Sequence, residues 1–152
     1  MTQAVHDPFH LSRFVKAQDN DYDQALRELR AGSKRSHWIW YVLPQLRGLG
    51  TSELSEHYGI TNLPEAQAYL QHRLLGVRLL ECVQAMNDLQ GLTAEQLLGA
   101  VDAMKFRSCL TLFSRAADEP TIFVQALQKY FAGNEDARTI DLLASQQRTR
   151  SP

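Results

Sequence analysis

Two stretches of the chain gather residue types that can do chemistry. The first, Arg27 to Arg47, holds Arg27, Arg30, Lys34, Arg35 and Arg47 against a single acid, Glu28, and interleaves them with Ser33, Ser36, His37, Trp38, Trp40, Tyr41 and Gln45. Cations that hold an anion, indole faces that stack a flat group and side chains that orient it by hydrogen bonds together suit a phosphorylated or nucleotide-like molecule. The second stretch runs from Asp102 to Phe113. On a helix, Phe106, Cys109, Leu110 and Phe113 turn inward, Arg107, Ser108, Thr111 and Arg115 occupy the polar arc, and Lys105 lies near its edge. In the functional reading Lys34, Arg35, Ser36, His37, Trp38, Trp40 and Gln45 form one wall of a pocket, and Lys105, Arg107, Ser108 and Thr111 form the other. Lys34, Lys105 and Arg107 would hold the anion, Trp38 or Trp40 would stack the flat group, and His37 would orient the ligand or move a proton as the catalytic candidate.

A plainer reading stands beside it. Trp38, Trp40 and Tyr41 can fill the core while Lys and Arg stems lie along the surface, His37 can be a hydrogen-bonded packing residue, and Asp102 with Lys105 can be a helix-start acid and its i,i+3 partner. Other chemistries find no support. His6 and His10 are separated by Pro8 and lack further clustered ligands, so no metal and no cofactor is expected. There is no G-x-S-x-G, no Walker loop and no G-x-G-x-x-G; Gly48-Leu49-Gly50 alone is too common to count. Cys82 and Cys109 sit in apolar stretches without C-x-x-C spacing and read as small buried hydrophobes.

The elements that must position these groups are helical. Apolar residues recur at helical spacing in nearly every segment between turn signals, which predicts an all-α, compact single-domain multi-helix bundle over residues 1–145, with a frayed tail at 146–152. Leu11, Phe14 and Val15 suggest a short first helix, with Asp19, Asn20 or Asp21 capping a second that presents Tyr22, Ala25, Leu26 and Leu29 and ends at Gly32. Ser33 to Pro44 reads as a short buried helix, with a buried strand as the competitor; capping by Ser33 or Ser36 would aim free N–H groups at an anion beside Lys34 and Arg35. Thr51 or Ser52, Asn62 ahead of Pro64, and Thr93 are further N-caps. Core stripes follow at Leu75, Leu79, Cys82, Val83 and Met86, at Phe106, Cys109, Leu110, Phe113 and Ala117, and at Phe123, Leu127, Tyr130 and Phe131. A final helix is expected from about Asp136 to Ser145.

Sixteen Lys+Arg against seventeen Asp+Glu give a formal net charge of -1, so no global field draws the molecule to nucleic acid or an anionic membrane. No run approaches the roughly 18 apolar residues of a membrane span, and the first residues lack the basic and apolar regions of a secretory leader, so cytoplasm is the expected location.

A specific series of residues also resembles a bacterial family, the domain of unknown function numbered 1810. The likeness covers about Asp7 to Leu143 and begins with Asp7-Pro8, Arg13-Phe14, Ala17-Gln18, Tyr22, Glu28-Leu29 and Gly32. Its most specific part is Lys34, Ser36-His37-Trp38, Trp40, Pro44-Gln45 and Gly48-Leu49-Gly50, and Tyr58-Gly59-Ile60, Tyr69-Leu70, His72, Leu75-Gly76, Asp102, Lys105, Arg107-Ser108, Thr111-Leu112-Phe113, Asp136 and Thr139 continue it. Arg73 and Val77 stand where the family often has prolines, which weakens only a turn expectation. The resemblance implies a compact all-α bacterial cytoplasmic domain and brings no settled activity. Two functions therefore compete: a small ligand-binding domain or enzyme for a phosphorylated or nucleotide-like molecule, and a non-enzymatic protein-protein interaction module, with a homodimer among its forms. Exposed Trp38, Trp40 and Tyr41 on a flat face would favour the module, and a concavity joining the Lys34 and Lys105 regions would favour the ligand.

Overall fold

The computed structural model describes residues 6–150; the expectations placed on residues 1–5 and on the tail end at 151–152 lie outside it. Its described residues form nine helices: α1 (Ser12–Ala31), α2 (Ile39–Val42), α3 (Glu53–Tyr58), α4 (Leu63–Gln71), α5 (Leu75–Asn87), α6 (Ala94–Leu98), α7 (Ala100–Ala116), α8 (Thr121–Phe131) and α9 (Ala137–Arg150). An isolated parallel bridge joins Leu46 and Ile60. The fold is all-α, as the apolar periodicity predicts.

Helix α7 is the central element, packed against α4, α6, α8 and α9, while α1 packs on α5 and α2. Of its expected core stripe, Phe106, Cys109, Leu110 and Phe113 are all fully buried, while Ala117 is half-buried and is the C-cap just past the helix end. A file of rings crosses the molecule from α1 through α4 and α7 to α8. Phe14 meets Tyr69 edge-on at 5.1 Å, Tyr69 meets Phe113 at 5.3 Å, and Phe113 stacks on Phe123 at 6.0 Å. Such pairs add to the burial of large apolar surfaces and fix the relative rotation of the helices that carry them.

Helix α1 corrects one expectation. The break at Asp19-Asn20-Asp21 does not occur, and one helix runs for 20 residues. The reason is Gln18: counted as polar, it interrupts the inward stripe, yet it is buried and donates from Nε2 to the Tyr41 carbonyl at 2.7 Å and to the Tyr69 hydroxyl at 3.0 Å. Phe14, Gln18, Tyr22, Ala25 and Leu29 then form a continuous inward face. Asp21, rather than capping, accepts a hydrogen bond from the Tyr41 hydroxyl. Gly32 ends α1 at φ 76°, a left-handed conformation that costs glycine little.

Most other caps fall as expected. Ser52 accepts from Ser55 N, Asn62 accepts from Glu65 N with Pro64 in the first turn, and Thr93 forms a capping box with Gln96. The start of α5 uses a different device, with His72 Nδ1 accepting from Leu74 N at 3.1 Å and Leu75 N at 3.2 Å. Gly76 then lets α5 pass tightly over the end of α4, since an added Cβ would lie 2.1 Å from the Leu70 carbonyl oxygen. Helix α9 starts where Asp136 Oδ2 accepts from Thr139 N, and it runs past Ser145 to Arg150.

Candidate functional site

The Arg27–Arg47 stretch is organised by its one acid. Glu28, 5% exposed, accepts at Oε1 from Arg35 N (2.8 Å), Ser36 N (3.0 Å) and Trp38 Nε1 (3.0 Å), and at Oε2 from the Ser36 hydroxyl (2.6 Å) and Gln24 Nε2 (2.7 Å). Burial by itself would raise the carboxyl's pKa; the hydrogen bonds, led by the Ser36 hydroxyl and Arg35 N–H, outweigh it and bring the group down to about 2. Residues 33–38 therefore do not form the early part of a helix. The short helix is the single turn Ile39–Val42, its N-cap is Trp38, and neither Ser33 nor Ser36 caps it. The anion site expected at a Ser-capped helix start is thereby removed.

The two chemistry-bearing stretches meet through Asp102, in the first turn of α7. Its Oδ2 lies 2.8 Å from Lys34 Nζ and its Oδ1 4.0 Å from Lys105 Nζ. Each ammonium also lies over an indole, Lys34 at 5.0 Å from the Trp38 ring and Lys105 at 4.7 Å from the Trp40 ring. Lys34, its side chain 6% exposed and also donating to the Ser36 carbonyl, is fully engaged within the protein. Lys105 is the freer cation, and with two ammoniums on one carboxylate the cluster keeps a positive charge.

Beside this cluster a hollow of about 240 Å³ opens between the 45–50 turn, α7 and the start of α9. Gln45, Lys105 and Ser108 line it, joined by residues the sequence had not marked for the site: Leu49, Gly50, exposed Val101 and Met104, Asp136, whose carboxylate accepts from Thr139, and Arg138, which donates to the Leu49 carbonyl at 3.3 Å. Arg138 was hidden because nothing near it in the chain is basic or aromatic; only the α9 packing brings it alongside.

The remaining candidates lie away from the hollow's lining. Arg107 donates to the Asn134 and Glu135 carbonyls at 2.8 and 3.0 Å and so ties the α8–α9 loop to α7. Thr111, fully buried, accepts from Asp136 N and donates to the Arg107 carbonyl. Trp38 is 1% exposed and is core; Trp40 is half-buried, lining a narrow gap with Gln45 and Ser55. Its Nε1 is buried without a hydrogen-bond partner among the described residues. Arg35 and His37 are exposed. Cys82 and Cys109 are free and buried; burial pushes the Cys82 thiol up to about 12 and raises that of Cys109 too, which keeps both protonated and unreactive. Among the described residues no group of three or more His, Cys, Asp or Glu is placed to hold a metal, and no helix is long and apolar enough to cross a membrane.

Comparison with known proteins bears on the whole of this architecture. A family described as Protein of unknown function (DUF1810) matches residues 8–143. No curated protein matches the chain. The crystal structure of the conserved hypothetical protein Rv1873 from Mycobacterium tuberculosis is similar at 55% sequence identity, with a TM-score of 0.90, over 91% of this chain and 99% of that one. The residues that build the Glu28 and Asp102 clusters all lie inside the matched span, and the chain belongs to the DUF1810 family.

Proposed function

We propose that the protein is a small ligand-binding domain whose hollow between the 45–50 turn, α7 and α9 takes the phosphate-bearing end of a small molecule. The observation that carries this reading is the convergence of Lys105, Arg138, Gln45 and Ser108 on one concavity that also has an apolar wall of Leu49, Val101 and Met104. Lys105 and Arg138 hold the anion, Gln45 orients it, and the apolar wall supports the attached carbon skeleton, while the Ser108 hydroxyl is held by the Met104 carbonyl. Lys34 and Trp38 act at one remove: they hold Asp102 and the 33–38 segment, and Asp102 with the Trp40 ring positions the Lys105 ammonium. About 240 Å³ falls below the roughly 300–1,000 Å³ usual for drug-sized ligands, so a sugar phosphate, or one end of a nucleotide, fits better than a whole dinucleotide.

Calorimetry with sugar phosphates, nucleotides and ADP-ribose tests the reading. Saturable binding of a phosphorylated compound, weakened about 10- to 100-fold by Lys105→Ala and by Arg138→Ala, is expected from the loss of a charge-assisted hydrogen bond. No binding, or equal binding by both variants, overturns it. The catalytic candidate His37 is exposed and does not line this hollow, so the reading is one of binding and assigns no reaction to that imidazole.

A second reading, a protein-interaction module, draws on exposed Val77 and Leu80 beside an open groove of about 640 Å³ between α1, α5 and α8. Sedimentation that gives a stable dimer at micromolar concentration would favour it; a monomer throughout would count against the homodimer form.

A further inference from the structure

A second polar hollow, of about 220 Å³, opens where the residues before α1 meet the end of α3 and the start of α4. Its floor is the Arg13–Glu65 ion pair at 2.8 Å, with side chains 7% and 1% exposed. Every N–H of Arg13 is engaged. Nε donates to the His57 carbonyl, Nη1 to those of Phe9 and His10, and Nη2 to the Gly59 carbonyl and to Glu65. The other Glu65 oxygen accepts from Thr61 N. The floor is thus charge-balanced and rigid, and leaves no donor for a ligand.

The rim is different in kind. His10, Arg47 and His57 are all exposed there, and the Arg47 guanidinium makes no hydrogen bond or ion pair among the described residues. Their backbones are held closely. Arg47 N donates to the Ile60 carbonyl at 2.8 Å, and Gly59 lies so near that an added Cβ would come within 2.6 Å of Arg47 Cβ. His10 is kept at φ 54°, which few residues other than glycine adopt, by its N–H on the Asp7 carbonyl and by its own carbonyl receiving Arg13. The nearby Asp7 carboxylate is engaged by the N–H groups of Leu11 and Ser12. One guanidinium and two imidazoles on a fixed frame above a charge-balanced floor suit a compact oxyanion, with the guanidinium able to grip two oxygens at once.

We infer that the rim of His10, Arg47 and His57 is a binding site for a phosphate group, separate from the α7 hollow. Amide NMR titration of the full chain with inorganic phosphate, and in a second arm with methyl phosphate, tests it. Saturable shifts centred on residues 10, 47 and 57 are expected. Arg47→Ala weakens them at least 10-fold, Arg47→Lys restores part of the loss because the charge returns without the fork, and Lys105→Ala leaves them unchanged. Because the Arg47 side chain is exposed and bonds to no other described residue, an unaltered thermal midpoint shows that the Arg47 variants fold. Equal binding in the two arms assigns the site to phosphate esters, and binding of inorganic phosphate alone assigns it to the free ion. Shifts confined to Lys105 and Arg138, undiminished binding by Arg47→Ala, or no saturation with either probe overturns the inference. The first of those results leaves the reading of the α7 hollow intact, and loss of binding at the α7 hollow alone leaves this one intact.

Discussion

Replacing Glu28 with glutamine is expected to lower stability at neutral pH by about 3 kcal/mol and to flatten the acid limb of the pH–stability curve. The carboxylate takes five hydrogen bonds from Gln24, Arg35, Ser36 and Trp38, four of them from a segment without helix or strand of its own. An amide offers one acceptor oxygen and turns an NH₂ toward the donors, so part of the set is orphaned in a buried position. The pH dependence follows from the same contacts. With a carboxyl at about 2 in the folded protein and at the usual 4.5 in the unfolded chain, the unfolded state binds more protons between these values. The stabilisation is complete above about pH 4.5 and is lost as pH falls toward 2. The gap corresponds to about 3 kcal/mol at 1.36 kcal/mol per pH unit. Urea unfolding from pH 7 down to pH 2.5 checks it: wild type and Glu28→Gln should converge as the pH drops, and parallel curves would show that the ionised carboxyl is not what holds the segment.

Arg13→Ala is expected to cost about 3–5 kcal/mol, because it strands the buried Glu65 charge. For a chain of this size that lowers the thermal midpoint by roughly 10 °C. Glu65→Gln should cost less, about 1–2 kcal/mol, since Arg13 keeps its four carbonyl acceptors. Those carbonyls also separate this pair from an ordinary buried ion pair. Apolar replacement of both partners is often neutral elsewhere. Here an Arg13→Met/Glu65→Leu double variant should remain clearly less stable than wild type, because the carbonyls of Phe9, His10, His57 and Gly59 lose their donor. Calorimetric scans of the four proteins decide the matter; a double variant as stable as wild type would assign the carbonyl bonds no weight.

What could be read from the chain divides along physical lines. A helix whose inward face is wholly apolar, such as α5, is legible because each buried residue announces itself. Gln18 shows the opposite case: a buried polar side chain satisfied by Tyr41 and Tyr69 looks, in one dimension, like a break. Cap residues were legible because their partners lie three positions away. Glu28 was visible only as the lone acid among cations, since its role depends on the reversal at Gly32 that folds residues 35–38 back onto α1. For the candidate site, the functional reading presumed that the Lys34 and Lys105 regions meet, but the agent of their meeting, Asp102, looked like a helix-start acid, which it also is. Arg107 and Thr111 have the right chemistry for a ligand and are engaged by the α8–α9 loop instead; only the packing of α9 against α7 distinguishes those uses.

The two indole–ammonium contacts give the molecule an optical signature. With only two tryptophans in the chain, intrinsic fluorescence divides into a sealed component and a responsive one. Trp38, bonded to Glu28 and covered by Lys34, emits from an interior setting until the chain unfolds. Trp40 carries the ammonium of the residue that faces the α7 hollow, so any occupant that draws Lys105 off the ring changes the field at that indole. Occupancy and unfolding are thereby reported by different chromophores within one unlabelled molecule.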